Sequence, residues 1–233
     1  MAKKASNSYM TKTERIAGTV LFLVYLLVMP LLLSRLFDLA ELLLGTQIGA
    51  VLRGRLYAWA LFAAAVLLFH SFLARTTSRF FDDLNQAFST LGLGLIVFYG
   101  ANELAFRFFA LLLRGRANLN DAPIAAGPGG VTALAVVLLL PFVEEVFFRG
   151  LVFGCLRERS RAVAYALSAL LFAFFQVWAF SAAPWQLSRI PMLLLYLVPG
   201  LVFAWVYDRS DTLWTAILLH AGVNALALWA LPT

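Results

Sequence analysis

Phe142-Val143-Glu144-Glu145-Val146-Phe147-Phe148-Arg149 sets two adjacent carboxylates and an arginine inside an otherwise apolar stretch. Apolar sequence flanks it, residues 131–140 before and 151–153 after. A charge at bilayer depth costs about 2.5–3.5 kcal/mol on insertion scales, so three together must be paired, do chemistry, or both. Glu145 and Arg149 are four apart and share a helix face, which predicts an ion pair. Glu144 points about 100° away round the helix and makes a poor partner for Arg149. The spacing therefore predicts a structural pair, Glu145 with Arg149, and a free carboxylate at Glu144.

The rest of the chain sets this helix in a membrane. Of 233 residues 63% are hydrophobic and 13% charged, more apolar surface than a soluble domain of this size can hide. Apolar runs lie at about 16–34, 56–74, 91–113, 131–153, 162–180, 190–207 and 212–230, each near the roughly 20 residues of a spanning helix. The predicted fold is an all-α polytopic transmembrane bundle of about seven spans, or eight if residues 37–55 add one. The segment 37–52, interrupted by Asp38 and Glu41, reads as an interfacial helix or an extension of the first hairpin. The first run is long enough to span and lacks a small-residue cleavage site, so it reads as an anchor. The domain reading is a basic N-terminus (1–15), N-terminal helices with a turn-rich loop (16–130), and a core of C-terminal helices that carries the buried charges (131–233).

The formal charge of +6 does not signal nucleic acid, because the basic residues sit at span ends. With seven spans and the N-terminus inside, Lys3, Lys4, Lys12, Arg15, Arg75, Arg79, Arg157, Arg159, Arg161 and Arg209 are cytoplasmic. Arg35, Arg53, Arg55, Arg114, Arg116 and Arg189 lie opposite, and the excess predicts a cytoplasmic N-terminus. The location expected is a bacterial inner membrane. The single cysteine, Cys155, excludes an internal disulfide and a cysteine-based metal cluster.

Other polar residues interrupt the apolar runs. His220 and Asn224 are four apart on one helix face, with Gly222 between them allowing close approach. Gln176 lies in Leu171-Phe172-Ala173-Phe174-Phe175-Gln176-Val177-Trp178. Glu103 and Arg107 are spaced to pair with each other, near Asn102. His70, near a span end beside Ser71, reads as structural. Histidine suits acid–base work near neutral pH, an asparagine amide can donate to a developing oxyanion, and a free glutamate can act as a base on water. Glutamate, histidine and asparagine together form a kit for hydrolysing a peptide bond. Glutamate with histidine can alternatively ligate a metal, and all of these residues can serve as interhelical hydrogen-bond glue.

Glu-Glu-x-x-x-Arg, then Phe-x-x-x-Gln at Phe172 and Gln176, then His-x-x-x-Asn, resembles the CPBP family of CAAX-prenyl-protease and bacteriocin-processing intramembrane endopeptidases. The likeness covers about residues 131–230, including Pro199-Gly200-Leu201 and Tyr207-Asp208-Arg209-Ser210-Asp211-Thr212-Leu213-Trp214 ahead of His220. The resemblance implies catalytic residues facing a cavity within the membrane. Glu144 then activates water, Glu145 and Arg149 hold the helix, Asn224 stabilises the oxyanion and His220 supports the centre. The implied substrate is a membrane-embedded or lipid-modified protein. Gln176 stands where the family has a histidine, and glutamine neither takes a proton near pH 7 nor ligates metal well. The expectation is therefore glutamate-dependent chemistry with no cofactor and no metal. The rival readings are a pseudoprotease that binds membrane segments without cutting them, and a transporter relaying protons through Glu103, Glu144 and His220.

Overall fold

A computed structural model describes residues 10–112, 134–179 and 190–229. Every element among them is helical. α1 (Lys12–Leu23) runs through a π-helical turn (Val24–Val28) into α2 (Met29–Leu44). α3 (Ala50–Leu68), α4 (His70–Asp82) and α5 (Leu84–Leu112) follow. Residues 134–156 form one composite helix, α6. In it, π-helical Ala135–Leu139 and Val146–Phe153 alternate with α-helical Leu140–Glu145 and Gly154–Leu156. α7 (Arg161–Ala179), α8 (Ile190–Ser210) and α9 (Leu213–Trp229) complete the chain. The turn-rich loop expected at 114–130 lies outside the described residues.

Among the described residues, three helical stretches are long and apolar enough to cross a membrane: Val51–Leu68, Leu84–Leu112 and Ile190–Ser210. Shorter apolar helices occupy Arg161–Val177 and Leu213–Trp229. Large apolar side chains face outward, among them Leu67, Ile96, Leu104 and Leu111, while Glu144, Glu145 and Arg149 are buried. This distribution suits lipid, where polar groups must find partners inside the bundle. The chain is an integral membrane protein.

Two runs expected as single spans are divided. Residues 16–34 are not one straight span: Lys12–Leu27 and Leu32–Leu44 meet at 85°, a bend that contains Pro30, which has no N–H for the helical ladder. The acid-interrupted segment 37–52 is shared between α2 and α3, and Gly45 ends α2 at φ 64°, in the left-handed region that glycine favours. Residues 56–74 are also two helices, because Phe69 leaves helical geometry (φ −103°, ψ 21°). α4 is then an amphipathic helix that buries Phe72, Leu73 and Thr76. Its apolar start packs into the bundle, which is why the sequence there reads as span.

α6 is the central helix and packs against α1, α3, α7, α8 and α9. Two polar clamps fix its neighbours. Glu14 closes a capping box with Thr11 and accepts from Phe72 N (2.7 Å) and Arg75 (3.2 Å), so it ties the start of α1 to α4. Thr76 holds the start of α9: its Oγ1 accepts from Leu213 N at 2.7 Å, and its carbonyl accepts from Thr212 Oγ1 at 3.0 Å. Trp214 Nε1 adds a bond to Thr77 Oγ1 at 2.7 Å. Several arginines expected to report topology also have structural partners: Arg53 with Asp38 and Glu41, and Arg157 with Asp211.

α7 and α8 approach closely at Gly200, where a Cβ would lie 3.0 Å from Ala169 Cα and 3.1 Å from its carbonyl oxygen. Gly200→Ala is expected to destabilise the detergent-solubilised protein by about 1–3 kcal/mol through overpacking. Gly92→Ala, where a Cβ meets nothing within 4 Å, is expected to be neutral or stabilising, by up to about 1 kcal/mol of helix propensity. Thermal melts of the two variants check the contrast.

Candidate active site

Glu144 and Glu145 end the α-helical part of α6, where it widens into the π-helical segment Val146–Phe153. Such π-helical insertions are frequent at functional sites. Ser168 Oγ, from α7, donates to Phe148 O at 2.7 Å and satisfies a carbonyl of the widened segment. α7 also brings Gln176 to this level, and α9 brings His220.

The two adjacent glutamates diverge, and one imidazole lies against both. His220 Nδ1 is 2.9 Å from Glu145 Oε1, and His220 Nε2 is 3.9 Å from Glu144 Oε2. A carboxylate only accepts here, so Glu145 places the proton of a neutral His220 on Nδ1 and leaves Nε2 turned toward Glu144. Gln176 Nε2 donates to Glu144 Oε2 at 2.7 Å. Glu144, Gln176 and His220 thus converge from α6, α7 and α9. Glu144, Glu145 and His220 are buried, and Gln176 half-buried.

Arg149 anchors the arrangement from beneath. Its side chain is fully buried; Nη1 donates to Glu145 Oε1 at 3.1 Å and Nη2 to Gly200 O at 3.0 Å. Its guanidinium lies 4.5 Å from the Phe172 ring centroid and 5.2 Å from that of Phe203, so aromatic faces replace part of its lost hydration. The same two rings hold His220: Phe203 stacks on it at 4.5 Å and Phe172 meets it edge-on at 5.9 Å. Glu145 Oε2 and Arg149 Nε have no hydrogen-bond partner among the described residues, so the pair carries uncompensated desolvation.

Glu145 and Arg149 form the ion pair that their spacing predicts, and Glu145 has a second task that the spacing does not show. Asn224 lies one turn beyond His220, half-buried and engaged in the structure. Glu103 and Arg107 pair with each other on the exposed face of α5, away from this cluster. Asn102 donates to Phe98 O in its own helix, and His70 is exposed, bonded to Ser71 and Leu67 O. Cys155 is a half-buried free thiol. Phe203 escaped the sequence reading, and Phe172 and Gly200 entered it only as motif positions, without their contacts to His220 and Arg149. The repeated aromatics around Gln176 and the Pro199-Gly200 step were the available signals.

The donor set does not suit a catalytic metal. A zinc centre of this type takes three protein ligands. Gln176 points an amide N–H at Glu144, and His220 Nδ1 is committed to Glu145, leaving Glu144 and His220 Nε2 as the two convergent donors. Among the described residues no group of three or more His, Cys, Asp or Glu is placed to hold a metal ion.

Residues 127–226 match the family model described as type II CAAX prenyl endopeptidase Rce1-like. The C-terminal part of this chain is thus similar to that family. The resemblance read from the motifs therefore stands, over nearly the same residues. The chain is 28% identical over 117 residues to "Putative membrane peptidase YdiL" of Bacillus subtilis (strain 168), covering 49% of this chain and 43% of that protein. It is 30% identical over 87 residues to UPF0177 protein YxdF of Lactococcus lactis subsp. lactis (strain IL1403), covering 37% of this chain and 42% of that protein. The chain spans less than half the length of these curated relatives. No solved structure matches it.

Arg149→Ala leaves Glu145 buried without its cation and is expected to cost about 3–5 kcal/mol, read as a lowered melting temperature in detergent. Glu144→Gln keeps the Gln176 contact and is expected to leave stability unchanged or raised. Equal losses from the two variants would show that the glutamates have been assigned the wrong way round. Elemental analysis of the purified protein is expected to return no stoichiometric zinc, and one zinc per chain would overturn the donor-set argument.

Proposed function

We propose that this protein is an intramembrane endopeptidase in which Glu144 activates water and His220 assists. The observation that carries the reading is the 3.9 Å gap between Glu144 Oε2 and His220 Nε2 inside an apolar bundle. Atoms at that separation are not bonded to each other, yet both can reach one water at ordinary hydrogen-bond distance. The Rce1-like match of residues 127–226 supports it.

Chemistry follows from the protons. Gln176 occupies one lone pair of Glu144 Oε2, leaving the second to take a proton from the attacking water. The hydroxide adds to the scissile carbonyl carbon. The C–N bond then breaks, and the proton held by Glu144 passes to the departing amine, so the products are a carboxylic acid and an amine. His220 Nε2 orients the water, with Glu145 and Arg149 holding the ring. Asn224, one turn along α9, donates to the oxyanion. By analogy with the name of the matching family, the substrate is a prenylated C-a-a-X tail or a related lipid-modified or membrane-embedded segment. The N-terminus faces the cytoplasm of a bacterial inner membrane, which the Lys and Arg distribution supports. Residues 131–233 are the catalytic core and 16–130 its N-terminal helices.

A second reading has its own observation. Gln176 donates to Glu144 where a histidine would share a proton, so the chain can bind membrane segments without cutting them. Reconstitution in liposomes with a farnesylated C-a-a-X peptide, reading release of the C-terminal tripeptide, separates the two. Cleavage that Glu144→Gln abolishes is expected for the protease. Gln176→His is expected to raise the rate more than tenfold, since a placed acid–base contributes about 10²–10⁴-fold. Binding of the peptide without cleavage, even with histidine at 176, would establish the pseudoprotease.

A further inference from the structure

Glu103 and Arg107 take no part in the site, yet they interrupt a long apolar helix. α5 runs 29 residues, Leu84–Leu112, and reaches about 43 Å at 1.5 Å per residue, more than the roughly 30 Å of a hydrocarbon core. One of its faces, with Ala87, Thr90, Gly94 and Phe98, is buried against α8 and α9. Phe98 stacks there on Phe203 at 5.6 Å, the ring that also holds His220. The reverse face looks outward. Ser89, Leu93, Ile96, Gly100, Glu103 and Arg107 are all exposed and follow one another at steps of four, three, four, three and four. That is the 3.5-residue repeat of a seam along which one helix packs against another.

Arg107 Nε donates to Glu103 Oε1 at 2.5 Å, and the two side chains remain 77% and 59% exposed. Exposed apolar residues border the pair on both sides, Ile96 and Leu104 at about its own level and Leu111 one turn beyond. The pair therefore breaks a surface otherwise suited to lipid, where charged groups are costly and face a protein partner. We propose that this face of α5 is the interface of a parallel homodimer, two copies of the chain joined about a two-fold axis along the membrane normal. Two copies of common topology meet symmetrically about such an axis, so each seam residue stands at the depth of its own counterpart. Glu103 of each copy then lies one turn from Arg107 of the other, and the four side chains close a ring of alternating charge. Each carboxylate gains a second guanidinium and each guanidinium a second carboxylate. A glutamate followed one turn later by an arginine is its own complement under a two-fold, which selects a second copy over an unrelated membrane segment. Gly100 sits in the seam just ahead of the pair, and a Cβ there meets nothing within 4 Å. Its missing Cβ lets the partner backbone come close, as small residues do between helices in membranes.

The test is association of the full chain in liposomes, which needs no substrate and so stands apart from turnover. In a Cys155→Ser background, Ile96→Cys is expected to give a disulfide-linked dimer on oxidation, because a seam residue meets its own counterpart. Leu67→Cys, exposed on α3, is expected to stay monomeric. Glu103→Arg and Arg107→Glu each turn the ring into four like charges and are expected to raise the dimer dissociation constant about tenfold or more. The Glu103→Arg/Arg107→Glu double variant exchanges the charges, rebuilds the ring and is expected to recover most of the affinity. Gly100→Leu carries the same prediction where a charge variant fails to insert, since its side chain enters open space in its own protomer and holds two copies apart. A wild-type chain that stays monomeric at high protein-to-lipid ratio overturns the dimer. A dimer that crosslinks through Leu67→Cys as readily as through Ile96→Cys, or that Gly100→Leu leaves intact, overturns α5 as its face. Failure of the double variant to recover affinity overturns the alternating ring.

Discussion

The site depends on one fully buried carboxylate with two claimants. Glu145 Oε1 accepts from Arg149 at 3.1 Å and lies 2.9 Å from His220 Nδ1, so a single oxygen joins α6 to itself and to α9. Arg149 continues the chain of contacts to the Gly200 carbonyl of α8. The cost of burying these charges is met only while all three partners are present. Gly200 matters because its missing Cβ lets α8 approach α7, putting its carbonyl where Arg149 can reach it. The same approach sets Phe203 against the His220 ring.

Division of labour between two adjacent residues follows from helix geometry. Side chains one apart diverge by about 100°. A glutamate pair in sequence is therefore rarely a pair in space. An imidazole overcomes the divergence because its two nitrogens face different ways, one for each carboxylate. Glu145 is tied by this arrangement to Arg149 and His220, and Glu144 accepts from Gln176.

The sequence made some of this legible and hid the rest, for physical reasons. Charges isolated in apolar runs are expensive, so Glu144, Glu145, Arg149 and His220 stand out without any structure. Four-residue spacing is local, so the Glu145–Arg149 pair could be read from it. The bond from Glu145 to His220 crosses 75 residues of chain, and no local pattern encodes it. Helix breaks were also hidden. Residues 56–74 are apolar throughout, and apolarity serves a span and a packed amphipathic helix equally well.

The clamp at Thr76 gives the site a mechanical character. α9 is hung from its first turn by bonds to Thr76 and Thr77, and His220 lies seven residues further on, about 10 Å along the axis. The clamp therefore works as a datum: it fixes where α9 begins, and two helical turns measure out how deep in the bundle the imidazole meets Glu145 and Glu144.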